Sequence, residues 1–250
     1  MKKRFGPIVL LAGALFLLAA QFSIAQSVDV KGRGNALRVL GYSLFDENEG
    51  FGGTGAGLAY GIAGHLDIGF DAGMRFGEIE GEDAEESRLT FHFRGLLARQ
   101  TEGFPITLSL GFDYHFALVQ SDYLEDRFED YELLRNGRGY AVSAGLMRDL
   151  NFGPAFALRT GLGVRLDVER YTTSVASGVA EDEEDPPPIE LGRYPIEELD
   201  RTYSYTASLG PVIRPGSGNA VISALGTFRY DQHGEISGGA ELGVSFMRRP

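Results

Sequence analysis

The sequence predicts an all-β protein: an antiparallel up-and-down transmembrane β-barrel of about 10 strands, with 8 as the smaller alternative. Three observations carry the prediction. Long segments alternate apolar and polar residues with the two-residue period of a strand. The connections alternate between tight turns and long acidic segments. The chain also opens on an export signal.

That signal comes first in the chain. Lys2, Lys3 and Arg4 precede an unbroken apolar or small run over 8–20, and Ser23-Ile24-Ala25 forms a small-x-small cleavage site. The run is shorter than the ~20 apolar residues that a spanning helix needs. The expected organisation is a signal peptide over 1–25, cut after Ala25, a short lead over 26–35, and a barrel domain over 36–250. The chain has no cysteine, which excludes a lipoprotein anchor, a disulfide framework and thiol chemistry. Mean hydropathy is −0.10, with no apolar helix after the signal. Only helices and closed barrels satisfy every backbone group in lipid, so a membrane role for the mature chain requires a barrel.

Ten strands are predicted near 36–45, 54–62, 65–76, 87–99, 105–119, 138–149, 155–170, 202–214, 219–231 and 235–247. The first, second, sixth and ninth alternate less strictly than the others. The fifth is the clearest. Ile106, Leu108, Leu110, Phe112, Tyr114, Phe116 and Leu118 share one face, and Thr107, Ser109, Gly111, Asp113, His115 and Ala117 share the other. In the third, Leu66, Ile68, Phe70, Ala72, Met74 and Phe76 oppose His65, Asp67, Gly69, Asp71, Gly73 and Arg75. The seventh sets Leu162, Val164 and Leu166 against Arg159, Arg165, Asp167 and Glu169, and the tenth sets Leu242 and Val244 against Glu241. A membrane barrel turns such apolar faces to lipid and the polar ones to the lumen. Phe70, Leu110, Phe112, Leu162, Leu242 and Val244 are therefore expected outside.

Tight connections fall at 63–64, 100–104, 150–154 and 215–218, each with Gly or Pro, and a short one closes the chain near 232–234. Between them lie 46–53, 77–86, 120–136 and 172–201, which hold 24 of the 35 acids. One rim of short turns and one of long loops is the outer-membrane pattern, and the parity places every long segment outside with both termini inside. Within the longest segment, an acidic run over 181–185 leads into Pro186, Pro187 and Pro188, a composition that favours extended or disordered chain. Loss of Lys2, Lys3 and Arg4 with the signal would take the net charge from −12 to −15. That balance excludes nucleic acid as a partner.

Together, the signal, the Gly-rich polar faces, the Tyr and Phe residues near strand ends and the closing Val244-Ser245-Phe246 resemble small bacterial outer-membrane barrels of the OmpA/OmpX kind over about 36–247. The resemblance implies residence in the outer membrane, contact with its lipids and handling by the barrel-assembly machinery, with any extracellular partner unspecified. The chain departs from that pattern in two places. Met247, Arg248, Arg249 and Pro250 follow Phe246, and there is no tryptophan, so Tyr and Phe must form any aromatic girdle alone.

The polar faces are highly charged, with Asp67, Asp71, Arg75, His92, Arg94, Asp113, Arg159, Arg165, Asp167 and Glu241 as the expected lumen network and Arg88, His115, Glu169 and Arg229 beside it. Isolated charges away from bulk water are costly, so these groups should pair, arginine bridging carboxylates through its planar fork. The expected function is a non-enzymatic structural or surface-interaction barrel, with a narrow pore as the second form. One alternative is an outer-membrane hydrolase, a protease or lipid deacylase, with an active site at the outer rim; its weak catalytic candidates are His92, Asp113, His115 and Asp71. Another is a secreted soluble barrel that binds a lipid inside. The sequence has no G-x-S-x-G, H-E-x-x-H or calcium-loop pattern, so no metal and no cofactor is expected. A tight turn over 100–104 would set His92 opposite Asp113 and Thr90 opposite His115. Closing 77–86 as a loop between Phe76 and Ser87 would set Asp71 opposite His92, giving an Asp–His–Asp row.

Overall fold

A computed structural model describes residues 29, 34–46, 52–79, 82–121, 133–175, 196–216 and 219–248. The alternating segments form strands β1 (Asn35–Asp46), β2 (Gly52–Ile62), β3 (Leu66–Ile79), β4 (Glu82–Ala98) and β5 (Thr107–Ser121). They continue as β6 (Leu133–Asn151), β7 (Phe156–Val175), β8 (Ile196–Ile213), β9 (Ala220–Asp231) and β10 (Ile236–Arg248). Each strand pairs antiparallel with the next, and β10 pairs with β1, so the sheet closes with no free edge. The up-and-down order puts the β1–β2, β3–β4, β5–β6, β7–β8 and β9–β10 joins at one rim. The other four joins lie at the opposite rim.

The apolar faces point outward. Phe70 is 45% exposed, Leu162 65% and Leu242 57%; Leu110 and Phe112 are also exposed, and Val244 is half-buried on the same face. Arg159, Asp113, Asp167 and Glu241 are buried on the inside. A water-facing surface does not carry an apolar belt of this size. The soluble lipid-binding barrel, which needs its apolar faces inside, does not fit. Among the described residues no helix is long and apolar enough to cross a membrane.

At the tight rim, Ala63 (φ 51°) and Gly64 (φ 70°) adopt left-handed backbone just after Ile62 pairs with Leu66. A turn of that hand matches the twist of the flanking strands. Between β4 and β5 a 3-10 turn over Gln100–Glu102 ends at Gly103 (φ 93°). The register steps between Leu96↔Ser109 and Ala98↔Leu108, a bulge at Leu97. Arg99 is wholly buried at this turn, where its guanidinium bonds Glu102.

The expected 77–86 loop is a correction. β3 runs to Ile79 and β4 starts at Glu82, with Glu78 paired to Asp83 and Arg75 to Glu86, so most of that acidic segment is strand. Glu86 turns inward onto Arg88 and Arg75. Beyond the membrane both faces of a strand are wet, so pairing continues without apolar alternation, and acidity alone misplaces the strand end. The signal over 1–25, the run over 181–188 and the centres of the 120–136 and 172–201 segments lie outside the described residues.

Candidate functional site in the lumen

The β4–β5 register sets His92 opposite Asp113 and Thr90 opposite His115. The β3–β4 register differs from the expected one by two residues: Asp71 pairs with Thr90, and His92 with Gly69. The longer hairpin is the cause. An even shift keeps every side chain on its face, so Asp71 stays inward and meets His92 diagonally. His92 Nε2 contacts the Asp71 carboxylate, and its Nδ1 lies 2.9 Å from Asp113 Oδ1.

This row is the centre of a longer belt. Tyr42 Oη donates to Asp71 Oδ1 at 2.7 Å. Arg165 donates to Asp113 Oδ2 at 2.5 Å and to Asp167 Oδ1 at 2.8 Å, and Arg229 donates to Asp167 Oδ2 at 3.0 Å. With His92 charged, acid and base alternate around the inner wall from β3 to β9. The sequence makes room for this. A Cβ on Gly55 would sit 2.4 Å from the Tyr42 ring, and one on Gly73 would sit 2.5 Å from its hydroxyl. Those two glycines form the slot in which Tyr42 reaches from β1 over β2 to Asp71 on β3.

Ion pairs fill the barrel above and below the belt. Toward the rim with the long connections, Arg88 bridges Glu86 at 2.6 Å and Glu169 at 2.9 Å, while Tyr171 Oη donates to Glu169 at 2.8 Å. His115 joins this tier, not Asp113: its Nε2 is 3.1 Å from Glu169 Oε1, and Gly139 leaves the space it occupies. At the tight rim Arg159 binds Asp149 at 2.7 Å and Asp29 at 2.6 Å, and Arg214 binds Asp149 at 2.6 Å. Arg38 pairs with Glu241. Asp67 is buried near the charges of Arg38 and Arg94, and Arg75 stands 3.7 Å from Glu86.

Sequence reading missed Arg38, Tyr42, Glu86, Asp149, Tyr171, Arg214 and Asp29. The parity of β1 carries a signal for two of them, because Arg38 and Tyr42 share a face, but leucines on both faces blur it. Nothing in the sequence marks Asp29, which reaches the lumen from the short lead.

Among the described residues the lumen cavities are small. One cavity of about 70 Å³ is bordered by Tyr42, Asp71, His92, Asp113 and His115, and another of about 60 Å³ by Ser109, Ser143, Thr206 and Ser208; Arg94 borders both. A water needs roughly 10–15 Å³ measured this way, so each holds a few waters, against several hundred Å³ for a small-molecule site. A larger open hollow, about 1070 Å³, is lined mainly by outward side chains of β3–β6. Both nitrogens of His92 are engaged by carboxylates, which leaves none to take a proton from a nucleophile. Ser109 borders the other cavity. No group of three metal-ligating side chains occurs among the described residues.

No family model and no curated relative matches the chain. Among solved structures it is similar to the translocator domain of autotransporter NalP from Neisseria meningitidis: 12% identity, TM-score 0.54, covering 96% of this chain and 95% of that one. The β domain of the Bordetella autotransporter BrkA aligns at 10% identity and TM-score 0.49, over 86% and 99% of the two chains. The outer-membrane protease OmpT from Escherichia coli aligns at 9% identity and TM-score 0.39, over 86% and 95%. At 12% identity the likeness to the NalP domain is one of fold: a closed antiparallel outer-membrane-type barrel.

Proposed function

We propose that residues 1–25 export the chain, that the mature protein resides in the bacterial outer membrane, and that it is a non-enzymatic structural barrel with a closed lumen. Membrane lipids are its standing partners, and the barrel-assembly machinery inserts it. The acidic segments lie outside and carry any surface interaction. One observation carries this reading: among the described residues, tiers of paired charges cross the lumen, and the cavities they border measure about 70 and 60 Å³. Neither a solute path nor a substrate pocket fits the interior that the described residues line, and the His92 row is better explained as a lock between three strands than as catalytic machinery.

The test is electrical. The purified protein, shown to be folded by a heat-dependent shift in gel migration, is inserted in planar lipid bilayers. Silent membranes are the expected result, with steady current appearing in an Arg88→Ala, Arg165→Ala double variant. A stable ohmic conductance in the unaltered protein would overturn the closed lumen. Failure to insert at all would overturn the membrane reading.

A further inference from the structure

Arg94 on β4 stands apart from the ion pairs that fill the lumen. It is 7% exposed, yet among the described residues its guanidinium makes no hydrogen bond or ion pair. Asp67 and Asp113 act on it by charge alone. Asp113 is already held by His92 and Arg165. Asp67, directly opposite Arg94 on β3, also lies in the field of the buried Arg38. A guanidinium has five N–H donors and no acceptor, and burying a charge without hydrogen-bond partners is costly.

The side chain lies over its β5 partner, Gly111, and reaches toward β6. A Cβ on Gly111 would collide with Ser143 Oγ and sit 3.1 Å from Arg94 Nε, so guanidinium and hydroxyl share the space above that glycine. On β7 the inward positions between Arg159 and Arg165 are Gly161 and Gly163, whose β8 partners are Ser208 and Thr206. A Cβ on Gly163 would sit 2.8 Å from Thr206 Oγ1, and one on Gly161 would collide with Ser208 Oγ, so both hydroxyls lean over bare backbone. These residues enclose the cavity of about 60 Å³ on the tight-rim side of the belt. Ser143, Thr206 and Ser208 likewise have no hydrogen-bond partner among the described residues, and Ser109 reaches the Gly145 carbonyl only at 3.5 Å. No described carboxylate lines this cavity. The other cavity that Arg94 borders is the reverse, with Asp71, Asp113 and Glu241 in its wall.

We propose that Arg94 and the Ser143 and Thr206 hydroxyls bind a small monovalent anion of the size of chloride inside the barrel. Charged N–H donors and hydroxyls converge on one cavity, and an anion supplies the acceptor that the chain does not. Size and charge set the class. A water needs roughly 10–15 Å³ measured this way, so an ion little larger than water fits, whereas small-molecule sites take several hundred Å³. A second negative charge would stand against Asp67 and Asp113 with no second cation to offset it. The site needs only the closed barrel and does not depend on the membrane reading.

Unfolding equilibria and bromide crystallography of the barrel folded in detergent micelles test it. Gluconate, too large for the cavity, is replaced stepwise by chloride at constant ionic strength while the urea transition is followed. Because only the folded chain holds the ion, each tenfold rise in chloride above half-saturation should raise the folded-to-unfolded ratio about tenfold. Arg94→Met should abolish that dependence, and Arg148→Gln, exposed near the tight rim, should keep it. If Arg94→Met does not fold, the Ser143→Ala, Thr206→Val double variant takes its place. Losing hydrogen bonds to a charged group should move its half-saturation to about tenfold more chloride or beyond. Crystals grown in bromide should show an anomalous peak within hydrogen-bond distance of Arg94 and of the Ser143 or Thr206 hydroxyl. A transition indifferent to chloride, an equal response in Arg94→Met, an unchanged one in the double variant, or no bromide at Arg94 would overturn the site. A bromide peak there without chloride dependence in solution would mean an adventitious ion only and would overturn it as well.

Discussion

Arginines inside the barrel and arginines on its outer rim face opposite electrostatic situations. Arg165 is held between Asp113 and Asp167 with its guanidinium almost removed from solvent. Arg138 on β6 and Arg201 on β8 stand exposed on the outer wall. Within the lumen, pairing is compulsory, because a lone charge in a narrow space of low dielectric costs several kcal/mol. On the outer wall near the rim the side chains are exposed, and water screens their charge. The same residue type is therefore locked into ion pairs in one place and solvated in the other.

The largest expected effect breaks the inner half of this comparison. Arg165→Ala removes the cation between Asp113 and Asp167, leaving them only His92 and Arg229 at their far sides, and should cost about 3–5 kcal/mol in urea unfolding from lipid vesicles. A loss below ~1 kcal/mol would mean that the lumen is wet enough to hydrate both acids. Next comes the outer wall at mid-depth. Leu162→Arg puts a charge on the lipid side far from both rims and should cost roughly 2–4 kcal/mol in the same assay, while Arg201→Leu near the rim with the long connections should stay within about 0.5 kcal/mol. Equal costs at the two sites would remove the distinction by depth.

A smaller effect tests the glycine slot. Gly73→Ala pushes the Tyr42 hydroxyl aside and should cost about 1–3 kcal/mol, and the same substitution in a Tyr42→Ala background should cost clearly less. The smallest effect lies at the tight rim, outside the membrane. Arg99 holds the Glu102 carboxyl below its ordinary value of 4.5. Because the folded-state value is depressed, the pair contributes above the unfolded value and loses that contribution as pH falls through the folded one. The unfolding midpoints of the unaltered protein and Glu102→Gln should differ slightly at neutral pH and converge in strong acid. A gap that widens on acidification would reverse the assignment.

By itself the sequence determined which face each side chain occupies, because the two-residue period is a local property of extended chain. It determined the all-β class, the order of short and long connections and the charged interior. It also placed the β4–β5 pairing, where a turn of few residues leaves little choice, and so brought His92 to Asp113. Tertiary structure alone decided the axial alignment across the β3–β4 hairpin. There the acidic residues 78–86 carry no apolar cue, and pairing continues to Ile79 and Glu82 because Glu86 finds Arg75 and Arg88 inside. It also decided that His115 answers to Glu169 and that Asp29 enters the lumen from the lead. Each of those contacts joins residues far apart in the chain, and only closure of the barrel sets their distances.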